Sequence, residues 1–493
     1  MPDLIHEIKL ELIEYKHLAH TWEARYHKSL EIREEQTAKI KELEGKLNKL
    51  NQKLYGKKSE KNNPKKKPTE SSSKSRGQQS ENKQPERRDF EHLPTQTEVY
   101  EFEEEASCPC CGKAFSDFGF PEETETLEIE VKPYRRKIIR QKKKKTCQCD
   151  GGSQLMTAPG PQKLIPGCRI GISIWTELLI SKFHFGQPVN RSLNLFALKG
   201  MDLSQGTITG GLKNIQKLFQ PIVDAIQARC LQASFWHADE TRWSVFEKVP
   251  GKESTRWYLW LFESKDTAMF ILDPTRSTNV VENFFGKEVS GTLMVDRYSA
   301  YQCYIKSNPK VHLAYCWAHI RREFLDYSKE SPEKEDWAIS WVDRIRQLYD
   351  NRLTIVSMKG TITRQLKSGK LCHGQKRLLS IMKDNWTELT RFIQNPELPL
   401  DNNEAERTLR TPVVGRKNFF GSGSTWSAKL SSQCYSIFKT LTMNGINIYD
   451  WLQMYLGACA TNGGRAPKDV SRFLPWESSV RANSSPILEF EVA

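Results

Sequence analysis

The 493-residue chain is short of acid: 60 aspartates and glutamates stand against 74 lysines and arginines, a formal charge of +14. That deficit makes a polyanion the leading partner, without separating DNA from RNA or anionic lipid. Cysteine is scarce at twelve residues, too few for a disulfide scaffold, and cytosolic thiols stay reduced. Long apolar runs are missing, since none approaches the ~20 uncharged residues that cross a bilayer. The opening MPDLIHEIKLELIEYKHLAH lacks the basic region, apolar core and small-residue cleavage site of a signal peptide, which puts the expected location in the cytoplasm. Length and composition suit about three domains of ~150 residues, with some solvated segments.

What is present begins with a heptad seam in residues 1–55. Ile5, Ile8, Leu12, Tyr15, Ala19, Trp22, Tyr26, Ser29, Arg33, Gln36, Ile40, Leu43, Leu47, Leu50 and Leu54 alternate at three and four. The spacing predicts a coiled-coil helix that joins copies of the chain, or a helical hairpin folding back on its own chain; the polar stretch Ser29–Gln36 could break it in two. Residues 56–90, rich in lysine, serine, asparagine and proline, read as a basic flexible linker.

Five cysteines cluster between Cys108 and Cys149. Cys108-Pro-Cys-Cys111-Gly112 has the spacing of a zinc-knuckle turn, and Cys147-Gln-Cys149 is a tighter pair. The segments between, ETETLEIEVKP and YRRKIIRQKKKK, alternate like strands. Residues 91–165 therefore read as a zinc-ribbon-like domain held by Cys108, Cys111, Cys147 and Cys149, or as a metal-free hairpin. The isolated Cys230, Cys303, Cys372 and Cys459 are expected to be small buried hydrophobes. Residues 166–230 read as short helices: ISIWTELLISKFHFG, then one opened by Pro188 and stopped at Gly200, then one capped by Ser204 or Thr207. A helix-turn-helix or an ordinary helical bundle would both fit.

From Ala233 the pattern becomes strand-like, with four apolar runs: ASFWHADETRWSVF, RWYLWLFES, GTLMVDRYSAY and KVHLAYCWAHI. The helical stretch STNVVENFFG precedes the third. This succession resembles the opening of a ribonuclease-H-like α/β sheet. Asp239 and Asp296 fall at or near the C-terminal ends of two strands, where an open sheet gathers ligands. Carboxylates there suit two magnesium ions and phosphodiester chemistry. A third is sought in LDNNEAERTLRTPVVGRKNFFGSGS, where Glu404 and Glu406 lie two apart on a helix, so that only one can join the site.

These motifs together resemble the large transposase of the insertion sequence 66 family, a bacterial DDE transposase. The resemblance runs nearly end to end: LYGKKSEK (Leu54–Lys61), CPCCGKAF, HADET, MVDRYSAY, CWAHIRREF, the DNNEAER…GRKN block and the terminal INIYDWLQMYL…FLPW. It implies a multidomain α/β protein with a ribonuclease-H-like catalytic domain over 231–440, a helical insertion at about 321–394, and a C-terminal helical segment and tail over 441–493. It implies Asp239, Asp296 and Glu406 as catalytic ligands of two Mg2+ (or Mn2+), the family's asparagine-asparagine-x-x-glutamate-arginine pattern selecting Glu406 over Glu404. Arg407, Arg410, Arg416 and Lys417 would hold DNA phosphates. Double-stranded DNA would be the partner, both as terminal inverted repeats and as target, with structural Zn2+, a homo-oligomer, possible accessory proteins of the same element and a nucleoid location. Cys316-Trp-Ala-His319 resembles the C-x-x-H motif of many DDE transposases and reads as packing beside the site. Gly211 stands where the family has tryptophan. A ribonuclease-H-like nuclease without strand transfer and a non-catalytic DNA-binding regulator are the alternatives.

Overall fold

The computed structural model describes residues 2–55, 95–99, 110–111, 113, 126–127, 131–146, 153, 155–477 and 480. The chain divides into two units, one of Met1–Tyr55 with Pro133–Ala493 and one of Gly56–Lys132. The linker 56–90 lies outside the described residues, as do Cys108, Cys147 and Cys149 of the expected zinc site; Cys111 is exposed in a turn.

The seam forms one unbroken helix, α1 (Pro2–Tyr55), with no interruption at Ser29–Gln36. Tyr15, Trp22, Tyr26, Ile40, Leu43 and Leu47 are all exposed. A short ribbon follows, β1 (Lys142–Lys144) antiparallel to β2 (Leu155–Thr157). Among the described residues, the partner of the lysine-rich strand is β2, beyond the second cysteine pair.

Four helices come next: α2 (Ile172–Phe183), α3 (Val189–Leu198), α4 (Gln205–Gln216) and α5 (Gln220–Leu231). Pro188 is the N-cap residue of α3, and the Ser204 hydroxyl caps α4 by accepting from the Thr207 amide at 3.3 Å. Gly211 packs against the fully buried Trp175, whose ring would lie 2.1 Å from a Cβ there. The indole thus fills the space that a side chain at 211 would need.

The central sheet has the order β5-β4-β3-β6-β7. Strands β3 (Phe235–Ser244), β4 (Arg256–Glu263) and β5 (Ala268–Asp273) form an antiparallel meander. Helix α6 (Thr278–Phe285) then crosses to β6 (Gly291–Val295), parallel to β3, and α7 (Ser299–Ser307) leads to β7 (Val311–Tyr315), parallel to β6. Alternation along the strands divides the two faces. Trp236, Trp260 and Phe262 meet α6 and α7, with Phe262 stacked on Phe284 at 4.3 Å. The other face takes the C-terminal helices. Between β7 and those helices the chain is helical: α8 (Trp317–Glu330), α9 (Glu335–Asp350), α10 (Thr354–Lys367), α11 (His373–Asp384) and α12 (Trp386–Leu389). Then follow α13 (Asn403–Phe419), α14 (Thr425–Met443) and α15 (Ile448–Thr461).

Helix α14 covers the edge strand β5. The hydroxyls of Ser436 and Thr440 accept from the amides of Phe270 at 2.8 Å and Ala268 at 3.1 Å, so outward backbone donors that would invite strand addition are satisfied within the chain. Of the four isolated cysteines, Cys230 and Cys459 are buried as expected, but Cys303 and Cys372 are exposed. Cys372 serves instead as the N-cap residue of α11 in a capping box with Gln375, its sulfur 3.1 Å from the Tyr327 hydroxyl.

Candidate active site on the central sheet

Asp239 lies in the middle of β3, not at its end as its sequence context suggested. It is nevertheless at a strand boundary, because β6 runs beside β3 only from Phe235 to His237. His237 is paired with Met294, and the same offset carried two residues further sets Asp239 level with Asp296, which follows directly on β6. Both aspartates accept a nearby backbone amide: Asp239 from Glu240 and Asp296 from Tyr298, each at 2.8 Å.

The pleat sends Asp239 and its neighbour Glu240 to opposite faces. Glu240 is buried on the α6–α7 side, where it accepts from the Tyr301 hydroxyl at 2.8 Å and pairs with Arg276. The Arg276 guanidinium sits 3.8 Å over the Tyr298 ring. Asp239 faces α13, which carries Glu406. Burial, then the carboxylates of Glu240, Asp296 and Glu406, push the Asp239 carboxyl up to about 8 despite its hydrogen bond to the Glu240 amide.

Helix α13 is fastened to β3 at both ends. At its start Asn402, almost wholly buried, donates to the Ala238 carbonyl at 2.8 Å, and its side-chain oxygen meets His237 Nδ1 at 2.8 Å. The Asn402 amide donates to the Cys316 sulfur at 3.2 Å. At the other end Ser422 donates to Ser244, the last residue of β3, at 2.8 Å and accepts from Phe246 just beyond it at 2.9 Å. Gly421 makes this approach possible: its φ is +144° and a Cβ would fall 2.2 Å from the Ser244 carbonyl oxygen. Midway, Thr408 donates to the buried Glu263 of β4 at 3.1 Å, and Lys439 of α14 lies 3.3 Å from the same carboxylate.

Of the two glutamates on α13, Glu404 is exposed and Glu406 is half-buried. Glu406 lies 3.6 Å from His319 Nε2 and 3.8 Å from the Arg322 guanidinium, both on α8. Cys316 is the buried N-cap residue of that helix. Among the described residues, no three histidine, cysteine, aspartate or glutamate side chains are gathered closely enough to hold an ion as they stand. The charges of Asp296 and Glu406 both act on Asp239, while Glu406 itself is turned toward α8.

The four basic residues of α13 separate into two kinds. Arg407, Arg410 and Lys417 are exposed, whereas Arg416 is half-buried and donates to Thr241 of β3 at 3.3 Å. A cavity of about 350 Å3 adjoins the head of α13, lined by Ala318, Arg321, Arg346, Tyr349, Asp401 and Asn403.

The sequence of the transposase IS66 family matches this chain over residues 167–430, more than half its length and the span that holds the whole sheet and α13. The chain belongs to the transposase IS66 family. Curated relatives include three uncharacterized proteins of Sinorhizobium fredii (strain NBRC 101917 / NGR234). Protein y4jD is 25% identical over 422 residues, covering 78% of this chain and 80% of its own. Proteins y4qI and y4hP are each also 25% identical over 78% of this chain, and over 76% and 75% of their own lengths. Membership of the transposase IS66 family supports a transposase role for the domain just described. No helix among the described residues is long and apolar enough to cross a membrane.

The residues that sequence reasoning missed in this family member are those that hold the carboxylates in place. Asn402, Glu240, Arg276, Tyr301 and Glu263 make no recognisable spacing. The one signal was the doubled asparagine beside Asp401, which reads locally as a turn or cap.

Proposed function

We propose that the chain is a DNA transposase that cuts the ends of its own element and joins the freed strands to target DNA. The observation that carries this reading is the level placement of Asp239 and Asp296 at the ends of paired parallel strands, with Glu406 carried on a helix stitched to the same strand. The sheet order, three antiparallel strands followed by two parallel ones through α6 and α7, supports a ribonuclease-H-like core.

The donor set fits hard divalent cations. Three carboxylates supply oxygen ligands, and burial, joined by the neighbouring carboxylates, pushes Asp239 upward, a penalty on its charge that a bound cation would relieve. Asp239, Asp296 and Glu406 would hold Mg2+ or Mn2+, which when bound activates an attacking oxygen and stabilises the leaving one. Glu406 must leave its ion pairs on α8 to join, so His319 and Arg322 hold the third ligand in reserve. Arg416, anchored to Thr241, and the exposed Arg407, Arg410 and Lys417 bind backbone phosphates and position DNA without reading its sequence. Zn2+ held by Cys108, Cys111, Cys147 and Cys149, oligomerisation through α1, accessory proteins of the element, and a nucleoid location complete the reading.

The test uses purified protein, linear DNA carrying the ends of its element, and Mg2+. Transposase activity yields 3′-hydroxyl ends and then joined products; Asp239→Ala, Asp296→Ala and Glu406→Ala each abolish cleavage while DNA binding persists. Hydrolysis without joining would make the protein a nuclease, and binding without cleavage a regulator.

A further inference from the structure

The doublet Phe419-Phe420 at the end of α13 puts two identical side chains to different uses. Phe419 is packed, with its ring centre 6.3 Å from that of Trp243 and the Lys182 ammonium 4.0 Å over it. Phe420 is 71% exposed. Among the described residues it is also the one position other than glycine with a positive φ, +64°. A left-handed backbone crowds the Cβ against the following carbonyl, so such a helix end suits glycine or asparagine. A phenylalanine there meets two costs, a strained backbone and a ring in water, and gains little burial. Strain of this kind persists where it has a use.

The ring stands on a fixed stem. The Phe420 amide donates to the Arg416 carbonyl at 2.7 Å, and the Gly421 amide to that of Phe419 at 2.8 Å. Two residues on, Ser422 is bonded to β3 through its amide and through its hydroxyl, which accepts from the Trp243 indole at 3.1 Å. The Ser424 hydroxyl then caps α14. The tip is therefore held in place before any ligand arrives. Arg407, Arg410, Val414 and Lys417, all exposed and spaced by three or four, form one stripe along α13 from beside Glu406 toward Phe420. On the strand side, Ser244, which accepts from Ser422, is five residues past Asp239, a rise of about 17 Å. That span matches about five base steps of duplex at ~3.4 Å each. A cationic track that starts near the carboxylates and ends in a rigid exposed ring fits a nucleic-acid strand, with phosphates on the stripe and a base on the ring, since every base has a π-face. A second copy of the chain packed through this end would set the stripe against its own cations.

We propose that Phe420 is a positioning residue that wedges into the DNA about five base steps from the scissile phosphate, unstacking a base there so that the strand bends toward Asp239 and Asp296. This rests on the reading of the chain as a DNA transposase and adds a residue that distorts the duplex for cutting.

The test uses the full-length protein, Mg2+ and linear DNA carrying the ends of its element, with 2-aminopurine placed singly at successive positions beside the cut. This base brightens when its neighbours no longer stack on it, and wild type should brighten it at one step. Phe420→Ala should abolish that signal and slow cleavage of paired DNA about tenfold, whereas Phe420→Tyr should retain both. A mismatch built in at the same step should return Phe420→Ala toward the wild-type rate, because the unpairing is then done in advance. Phe420→Gly should cleave as poorly as Phe420→Ala yet melt no lower than wild type, since glycine accepts the left-handed backbone. Cleavage of paired DNA by Phe420→Ala at the wild-type rate overturns the inference and leaves the transposase reading intact. A mismatch that gives no rescue, or a Phe420→Gly that melts lower, also overturns it by making the ring structural. A smaller mass for Phe420→Ala in light scattering would assign the ring to a contact between chains and overturn it too. Failure of the wild type to cleave removes both readings.

Discussion

Asn402 donates to the backbone carbonyl of Ala238 at 2.8 Å, joining the residue before α13 to the residue before Asp239. One buried amide therefore sets the distance between the helix that carries Glu406 and the strand that carries Asp239. Its own oxygen engages His237, so both halves of the side chain are in use.

Asn402→Ala should strand the Ala238 carbonyl and the His237 ring in the core. Leaving buried polar groups unpaired costs about 1–3 kcal/mol. The melting temperature should fall by several degrees, and end cleavage should fall further than folding alone explains, since α13 is freed at its head. An unchanged melting temperature would show that the latch does not stabilise the fold.

The Asp239 carboxyl, pushed up to about 8, makes a pH prediction. A carboxyl that binds its proton more tightly in the native state stabilises it fully below the ordinary range near 4, and that contribution is lost as pH rises through about 8. Burial pushes Glu240 and Glu263 in the same direction. Metal-free protein should therefore melt progressively lower from about pH 4 to 8. Asp239→Asn should flatten this decline and melt no lower than wild type at pH 8, while losing all cleavage. A pH-independent melting temperature in the wild type would contradict it.

Glu404 and Glu406 can be told apart by activity. Glu406→Ala should abolish end cleavage, and Glu404→Ala, at an exposed position, should be mild. The reverse result in one assay would reassign the third ligand.

The exposed seam predicts self-association. Leu43 is 52% and Leu47 58% exposed in the single chain. The pair Leu43→Lys and Leu47→Lys would bury charge only if another helix covers them, at several kcal/mol each. Light scattering should report a smaller mass with the core still folded. An unchanged mass would remove the coiled coil.

Much of the sheet could be read in advance because its strands are saturated with buried side chains. RWYLWLFES is apolar on both faces and lies in β4, and GTLMV and VHLAY are the parallel strands β6 and β7. The separation of Asp239 and Asp296 already contained the register, since the offset of β3 against β6 is the same number of residues. Glu406 was separable from Glu404 only by likeness to a family, because a helix two residues apart offers both faces and composition does not name the inner one. The supports were illegible for a different reason. Asn402, Glu240 and Glu263 are polar residues whose partners, Ala238, Tyr301 and Lys439, lie far away in sequence, and a pairing made by tertiary contact leaves no local pattern. Cys303 and Cys372 were misjudged because a thiol's usual burial says nothing of a helix's outer face or a cap.

Helix α1 is 54 residues long without a break, which at 1.5 Å per residue makes a rod of about 80 Å. A rod of that length turns pairing direction into architecture. Two chains joined in parallel along α1 would carry their catalytic sheets side by side at one end, within reach of a single synapse. Joined antiparallel, the same two helices would carry the sheets toward opposite ends of the rod. The polarity of one helix pair thereby decides whether two DNA ends meet or are measured off against each other.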